Sequence, residues 1–268
     1  MIKLDYGALL CPEPITLSIG TLRNPKLREI GKLSFEKFGY YEFLLKLTPE
    51  LYFTKIKGND ESFTQDSFAG RKKAEVTLYD ILLEDGTLCE MYTEMFNFFF
   101  IEQVLFREGF FILLKEEIQN GDDIEADNIR GVITEDTMSQ VLGLIQQICC
   151  IYDEEEQTEE IQFKNNLAKR LFEKMQKAKQ KKNESKKTDV NFSLPNIISA
   201  LSNKHPSISP VNVWDLTVFQ LLDSFNRLQA NALYDIDSVR VSVWGDEKNA
   251  FDASRWYRNE YEKNNGQQ

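Results

Sequence analysis

His205 is the chain's one histidine, and it stands in NKHPSI, between two expected helices. Metal centres and Ser–His–Asp relays ordinarily draw on histidine. A lone base in a turn is therefore the most that such chemistry has to work with, and a solvated turn residue is the simpler reading. Carboxylates gather in GDDIEAD (121–127) and YDIDS (234–238). Neither has the calcium-loop spacing with its central Gly and terminal Glu, so adventitious ion binding is the most they suggest. No G-x-G occurs, which removes both the dinucleotide fingerprint and the phosphate-cradling loop. The cysteines, Cys11, Cys89, Cys149 and Cys150, form no C-x-x-C, and sequence neighbours rarely bridge each other. They read as buried thiols in a reducing compartment. The expectation is a chain with no catalytic residues, no metal site and no cofactor.

The charge balance narrows the partners. A net charge of −11 speaks against a nonspecific nucleic-acid binder, because phosphate neutralisation requires a surplus of Lys and Arg. The charge is unevenly distributed. From Asp122 to Glu160 about twelve acidic residues face one basic residue, whereas 164–187 holds about ten basic residues and two acidic ones. Phe172 is the only ring inside the basic run, too little for base stacking. Two opposite blocks answering each other, in cis or between subunits, explain the pattern more simply. The N-terminal MIKLDYGALLCPEPITL lacks the layout of a signal peptide. The apolar cluster from Phe96 to Leu114 is broken by Asn97, Glu102, Gln103, Arg107 and Glu108, so no membrane span is expected.

The elements that would position a site follow from periodicity and punctuation. Residues 1–22 alternate and carry Pro12 and Pro14, which predicts an extended arm or edge strand. Asn24 and Pro25 predict a helix start, Gly39 a weak point in the next helix, and Thr48-Pro49 a restart. Residues 58–74 read as a loop, and Gly86 separates two further helices. EQVLFREGFFILLKEE predicts a hairpin turning at Glu108-Gly109. A loop then leads to a cap at Thr134 and a helix to about Tyr152. Phe163, Leu167, Leu171 and Met175 repeat every four residues on one face. LPNIISALSNK forms a short helix, and Asn212 is expected to cap a longer one carrying Trp214, Val218, Leu221, Leu222, Phe225 and Leu228 on one side. RWYRNEYEKNN reads as a terminal helix.

The last third of the chain concentrates rings at Trp214, Phe225, Trp244 and Trp256. One reading is a small core, since a unit of this size buries little surface and tryptophan supplies much of it. The other is a partner-binding face, because aromatic residues dominate protein–protein hot spots. Both hold if one helix face points inward and the remaining rings outward.

The stretch VWDLTVFQLLDSFNRLQANALYDIDSVRVSVWGDEKNAFDASRWYRN resembles C-terminal segments of tailed-bacteriophage tail-assembly proteins. The matching residues are Trp214, Leu216, Thr217, Gln220, Phe225, Arg227, Leu228, Gly245, Trp256 and Tyr257. The chain departs from the pattern in placing VRVSVWGDEKNAFD before the WYRN element. Upstream, GTLRNPKLREIG and GVITEDTMSQVLGLIQQI fit the same kind of protein in layout. The resemblance implies a noncatalytic morphogenesis factor that holds or positions a tape-measure-type tail protein during assembly. It points to Trp214, Phe225, Arg227, Trp256 and Tyr257 as partner-binding, with Trp244 added as the remaining ring. The alternative is a structural virion component of the tail or baseplate, whose N-terminal arm pairs with a neighbour. The first reading puts the chain in the host cytoplasm, the second in the virion. Self-association fits either.

The expected architecture is mainly α with a small β contribution. It comprises a helical N-terminal body with an extended arm (1–180), a charged linker (181–192) and a small C-terminal helical unit (193–268).

Overall fold

A computed structural model describes residues 2–56, 76–119, 122–151, 190–246, 251–259 and 261. The expected loop at 58–74, the amphipathic repeat from Phe163 to Met175 and the basic run lie outside the described residues, as does the linker up to 189. The fold is mainly α with a small β contribution. The chain divides into two compact units, one of Met1–Ile151 with Trp214–Gln220, the other of Tyr152–Val213 with Leu221–Gln268.

In the first unit the helices α1 (Tyr6–Leu10), α2 (Leu27–Leu33) and α3 (Phe35–Leu45) come first, with the ribbon β1 (Ile15–Thr16) and β2 (Thr21–Leu22) after α1. A short α4 (Pro49–Leu51) runs into a π turn at Tyr52–Ile56. Thr48 caps it and Pro49 takes the first position, as the sequence predicts. Next come α5 (Leu78–Glu84) and α6 (Gly86–Phe99). Asp85 makes the break between them, accepting from Leu88 N–H at 3.1 Å and so starting α6 immediately. The antiparallel strands β3 (Gln103–Arg107), β4 (Phe110–Leu114) and β5 (Ile129–Ile133) follow in that order, and α7 (Glu135–Ile148) ends the run.

The core of this unit is aromatic. α6 turns Leu88, Cys89, Tyr92, Met95, Phe96 and Phe99 inward at helical spacing. Phe96 meets Phe111 of β4 edge-on at 5.0 Å between ring centroids, and Phe106 lies 4.8 Å from the same ring. Such geometry adds to the large area each ring buries. The polar tips are satisfied as burial demands. Tyr92 donates to Leu44 O at 2.7 Å, and Tyr79 donates to Gly109 O at 2.6 Å. Asn97 accepts from Val104 N–H at 2.9 Å and donates to Val104 O at 2.7 Å, binding the end of α6 to β3. The polar break in the apolar cluster is thus a joint between two elements.

The β3–β4 hairpin turns at Glu108 and Gly109, both with positive φ (50° and 85°), which gives the turn the twist that two-residue hairpins favour. β5, expected as loop, adds a third strand: Phe111 pairs with Ile133 and Ile112 with Val132. Its Gly131 lets another segment approach, for an added Cβ would lie 2.1 Å from Ile19 O.

Several expectations are corrected. The N-terminal residues are extended only in part, because Asp5 accepts from Gly7 N–H at 2.9 Å and starts α1. The arm is tied down within the chain, with Gln147 accepting from Leu4 N–H at 2.8 Å and donating to Ile2 O at 2.9 Å. Asn24 does not cap α2. It donates to Cys11 O and Glu13 O, while Glu29 accepts from Lys26 N–H at 2.7 Å and starts the helix. Gly39 sits inside α3 without breaking it. Cys89 and Cys149 are buried, whereas Cys11 is exposed.

Two glycines test this packing. Gly131→Ala is expected to lower the unfolding free energy by about 1–3 kcal/mol, since the new methyl meets backbone. Gly39→Ala meets nothing within 4 Å and should raise stability by about 0.5–1 kcal/mol through helix propensity. Urea titrations of both variants check the pair.

Candidate partner-binding site

The chain's nucleophile candidates are quickly placed. Burial pushes the Cys89 thiol up to about 11, and burial reinforced by Glu42 and Cys150 holds Cys149 well above its ordinary value. Both stay protonated and unreactive at neutral pH. His205 ends a helix, and its Nδ1 accepts from Ser207 N–H and Ile208 N–H, both at 3.2 Å. The imidazole therefore ties a turn. Among the described residues no group of three or more His, Cys, Asp or Glu is placed to hold a metal ion, and no helix is long and apolar enough to cross a membrane.

The second unit offers a surface instead. Its α8 (Leu194–Lys204) follows Ser193, with Pro195 in the first turn, where a missing N–H does no harm. Ile197, Ile198 and Leu201 are buried. After a 3-10 turn at Val213–Asp215 comes α9 (Val218–Trp244), the longest described helix at 27 residues. Asn212 does not cap it, since its side chain accepts from Ser209 N–H at 2.7 Å within the preceding turn. Thr217 and Gln220 do so reciprocally. Gln220 Oε1 accepts from Thr217 N–H at 3.0 Å, and Thr217 Oγ1 accepts from Gln220 N–H at 3.2 Å. α9 continues through VRVSVW, because nothing in that stretch breaks a helix before Gly245 (φ 76°).

α8 and α9 enclose a groove of about 410 Å³, lined by Ala200, Phe225, Leu228, Ala232 and Leu233, with Lys204 and Gln229 as its polar members. Beyond Gly245 the chain turns back on α9. Phe251 reaches Tyr234 at 5.6 Å between centroids, and Arg255 pairs with Asp237 at 3.1 Å. Within this return the Ser254 hydroxyl donates to Asp252 at 2.6 Å and, with Arg258 and Arg255 beside it, holds that carboxyl below its ordinary range. The expected terminal helix does not start at Arg255, since Ala253–Tyr257 are successive turns, whereas Tyr261 is helical.

The six expected partner-binding residues divide between the two units. Trp214 belongs to the first unit, half-buried beside Gly31, with its ring 6.5 Å from Phe35. The segment around it is stitched there too, Leu216 O accepting from Leu27 N–H at 2.9 Å, Gln220 donating to Leu10 O at 2.8 Å and Phe219 packing on Tyr6 at 6.0 Å. Phe225 is half-buried and lines the groove, and Arg227 pairs with Asp223 at 3.0 Å. Trp244 is 80 % exposed, Trp256 54 % and Tyr257 60 %. Trp214 thus packs in the first unit rather than in a core of the C-terminal unit, and Trp244 faces solvent. The remaining groove lining, Ala200, Ala232 and Leu233, drew no notice as sequence because small and aliphatic residues mark any helix core. The signal that finds it is the 4-3-4-3-4 spacing of Phe225, Gln229, Ala232, Ile236, Val239 and Val243.

Trp214→Ala is expected to destabilise the first unit by about 2 kcal/mol through lost packing. Trp244→Ala should leave stability within about 0.5 kcal/mol. Thermal melts of both variants decide it, and equal losses would contradict the assignment.

A family model described as YomV second domain matches residues 179–261, less than a third of the chain. Over α8, α9 and the return, this chain is similar to a phage-type protein family. No curated protein and no solved structure matches.

Proposed function

We propose that the chain is a noncatalytic phage tail-assembly factor whose second unit holds an amphipathic helix of a tape-measure-type tail protein. The groove between α8 and α9 carries this reading. Helix-in-groove recognition needs a trough of aliphatic and aromatic side chains with few polar groups, and no nucleotide. Ala200, Phe225, Leu228, Ala232 and Leu233 supply it, and the ammonium of Lys204 suits a helix flanked by carboxylates. The phage-type similarity over the same residues supports the setting. The host cytoplasm during particle assembly is where such a factor acts. A long tail protein carries apolar helix faces before it is packaged, and covering one of them keeps it from aggregating.

Co-expression with the tape-measure-type protein of the same phage tests the site. The wild-type chain should raise the soluble yield of that protein. Ala232→Glu, which puts an unpaired charge into the groove, should remove at least nine-tenths of the gain. Its circular dichroism melt should stay within a few degrees of the wild type. Equal yields with and without this chain, or with Ala232→Glu, would contradict the reading.

A further inference from the structure

Past the groove the aliphatic seam of α9 runs on without cover. Ile236, Val239 and Val243 are about two-thirds exposed (65, 62 and 64 %), an unusual state for branched aliphatic residues in register. With Ile236 and Val243 at heptad a positions and Val239 at d, they extend the seam through Phe225, Gln229 and Ala232. Among the described residues no segment closes over them. The C-terminal return takes Tyr234 and Asp237, whose mean direction lies about 160° around the helix from that of Ile236 and Val239. The flanking charges fit a specific occupant. Asp235 falls at g and Arg240 at e of the next heptad, and in a parallel coil the g residue of one strand meets the e residue five places on in the other. One copy of α9 thus presents, in the right order, the charges that another copy requires. Arg240 also lies 3.4 Å from Asp237 of its own helix, an exposed pair too weak to prevent a second one.

We infer that the distal half of α9 is a self-association surface, pairing in parallel with a second copy of this chain through Ile236, Val239 and Val243. This inference does not rest on the assembly reading, and the groove at Phe225 to Leu233 is a separate stretch of the helix. Three exposed aliphatic positions in each strand make a short contact, so the association is reversible and depends on concentration. The β-branched residues at both a and d also admit a third strand.

Sedimentation equilibrium of the full chain from 1 to 200 µM tests it. The apparent mass should rise with concentration to at least twice the chain mass. Val239→Asp should abolish the rise without changing the circular dichroism spectrum. Asp235→Arg and Arg240→Asp should each weaken association at least fivefold, and the double swap should restore it, since a parallel coil recreates the pair with signs exchanged. A monomer at 200 µM would overturn the inference, whether the seam is bare or covered by another segment of the same chain. So would association that Val239→Asp leaves intact, or that the double swap fails to rescue. None of these outcomes touches the groove, whose test is the yield of the tail protein.

Discussion

A helix of 27 residues extends about 40 Å, whereas its neighbour α8, at 11 residues, reaches about 16 Å. α8 is therefore too short to cover the apolar side of α9. Leu201 of α8 and Leu221 near the start of α9 are both fully buried. Next along α9 a groove lies between the two helices, and past Leu233 α9 runs on beyond that groove. The C-terminal return covers one side of that extension through Phe251 and Arg255 and leaves the opposite side to solvent. Apolar residues on a surface are ordinary when scattered. Here they are in register, which makes a contiguous apolar strip that calls for a partner.

The first unit is arranged on different lines. Its rings face each other across α6 and β4, and the phenols of Tyr79 and Tyr92 and the amide of Asn97 find backbone acceptors. Burial holds the Cys89 and Cys149 thiols protonated. The polar groups of that interior serve as joints: Asn97 at the end of α6, Gln147 on the N-terminal residues, Tyr79 on the hairpin turn. The short strand-like contact of Leu27 with Leu216 brings Trp214–Gln220 into the same unit. A ring that reads as a partner-binding tryptophan in sequence is thereby spent on packing.

What the sequence made legible were the features with local causes. The hairpin at Glu108-Gly109, the restart at Thr48-Pro49 and the mainly helical character rest on turn chemistry and periodicity, which act within a few residues. Features decided at a distance were not legible. Asn24 has the chemistry of a cap, yet the carbonyls of Cys11 and Glu13 claim it. Asn212 is engaged by its own turn, so Thr217 and Gln220 start α9 instead. β5 is short, weakly apolar and interrupted by Gly131, and only the neighbouring β4 makes it a strand. The site shows the same division. The rings were conspicuous and turned out to be dispersed, while the groove is built largely from alanine and leucine that attract no attention until the helices meet.

On the proposed reading, this protein acts during assembly rather than as part of the product. The most direct measurement is quantitative mass spectrometry of tail precursors and finished particles from a phage encoding this chain. The account predicts the chain in stoichiometric amounts with precursors that contain the tape-measure-type protein, and its absence from the finished particle. A fixed, stoichiometric copy number in finished particles would contradict it and make the chain a structural subunit of the tail or baseplate.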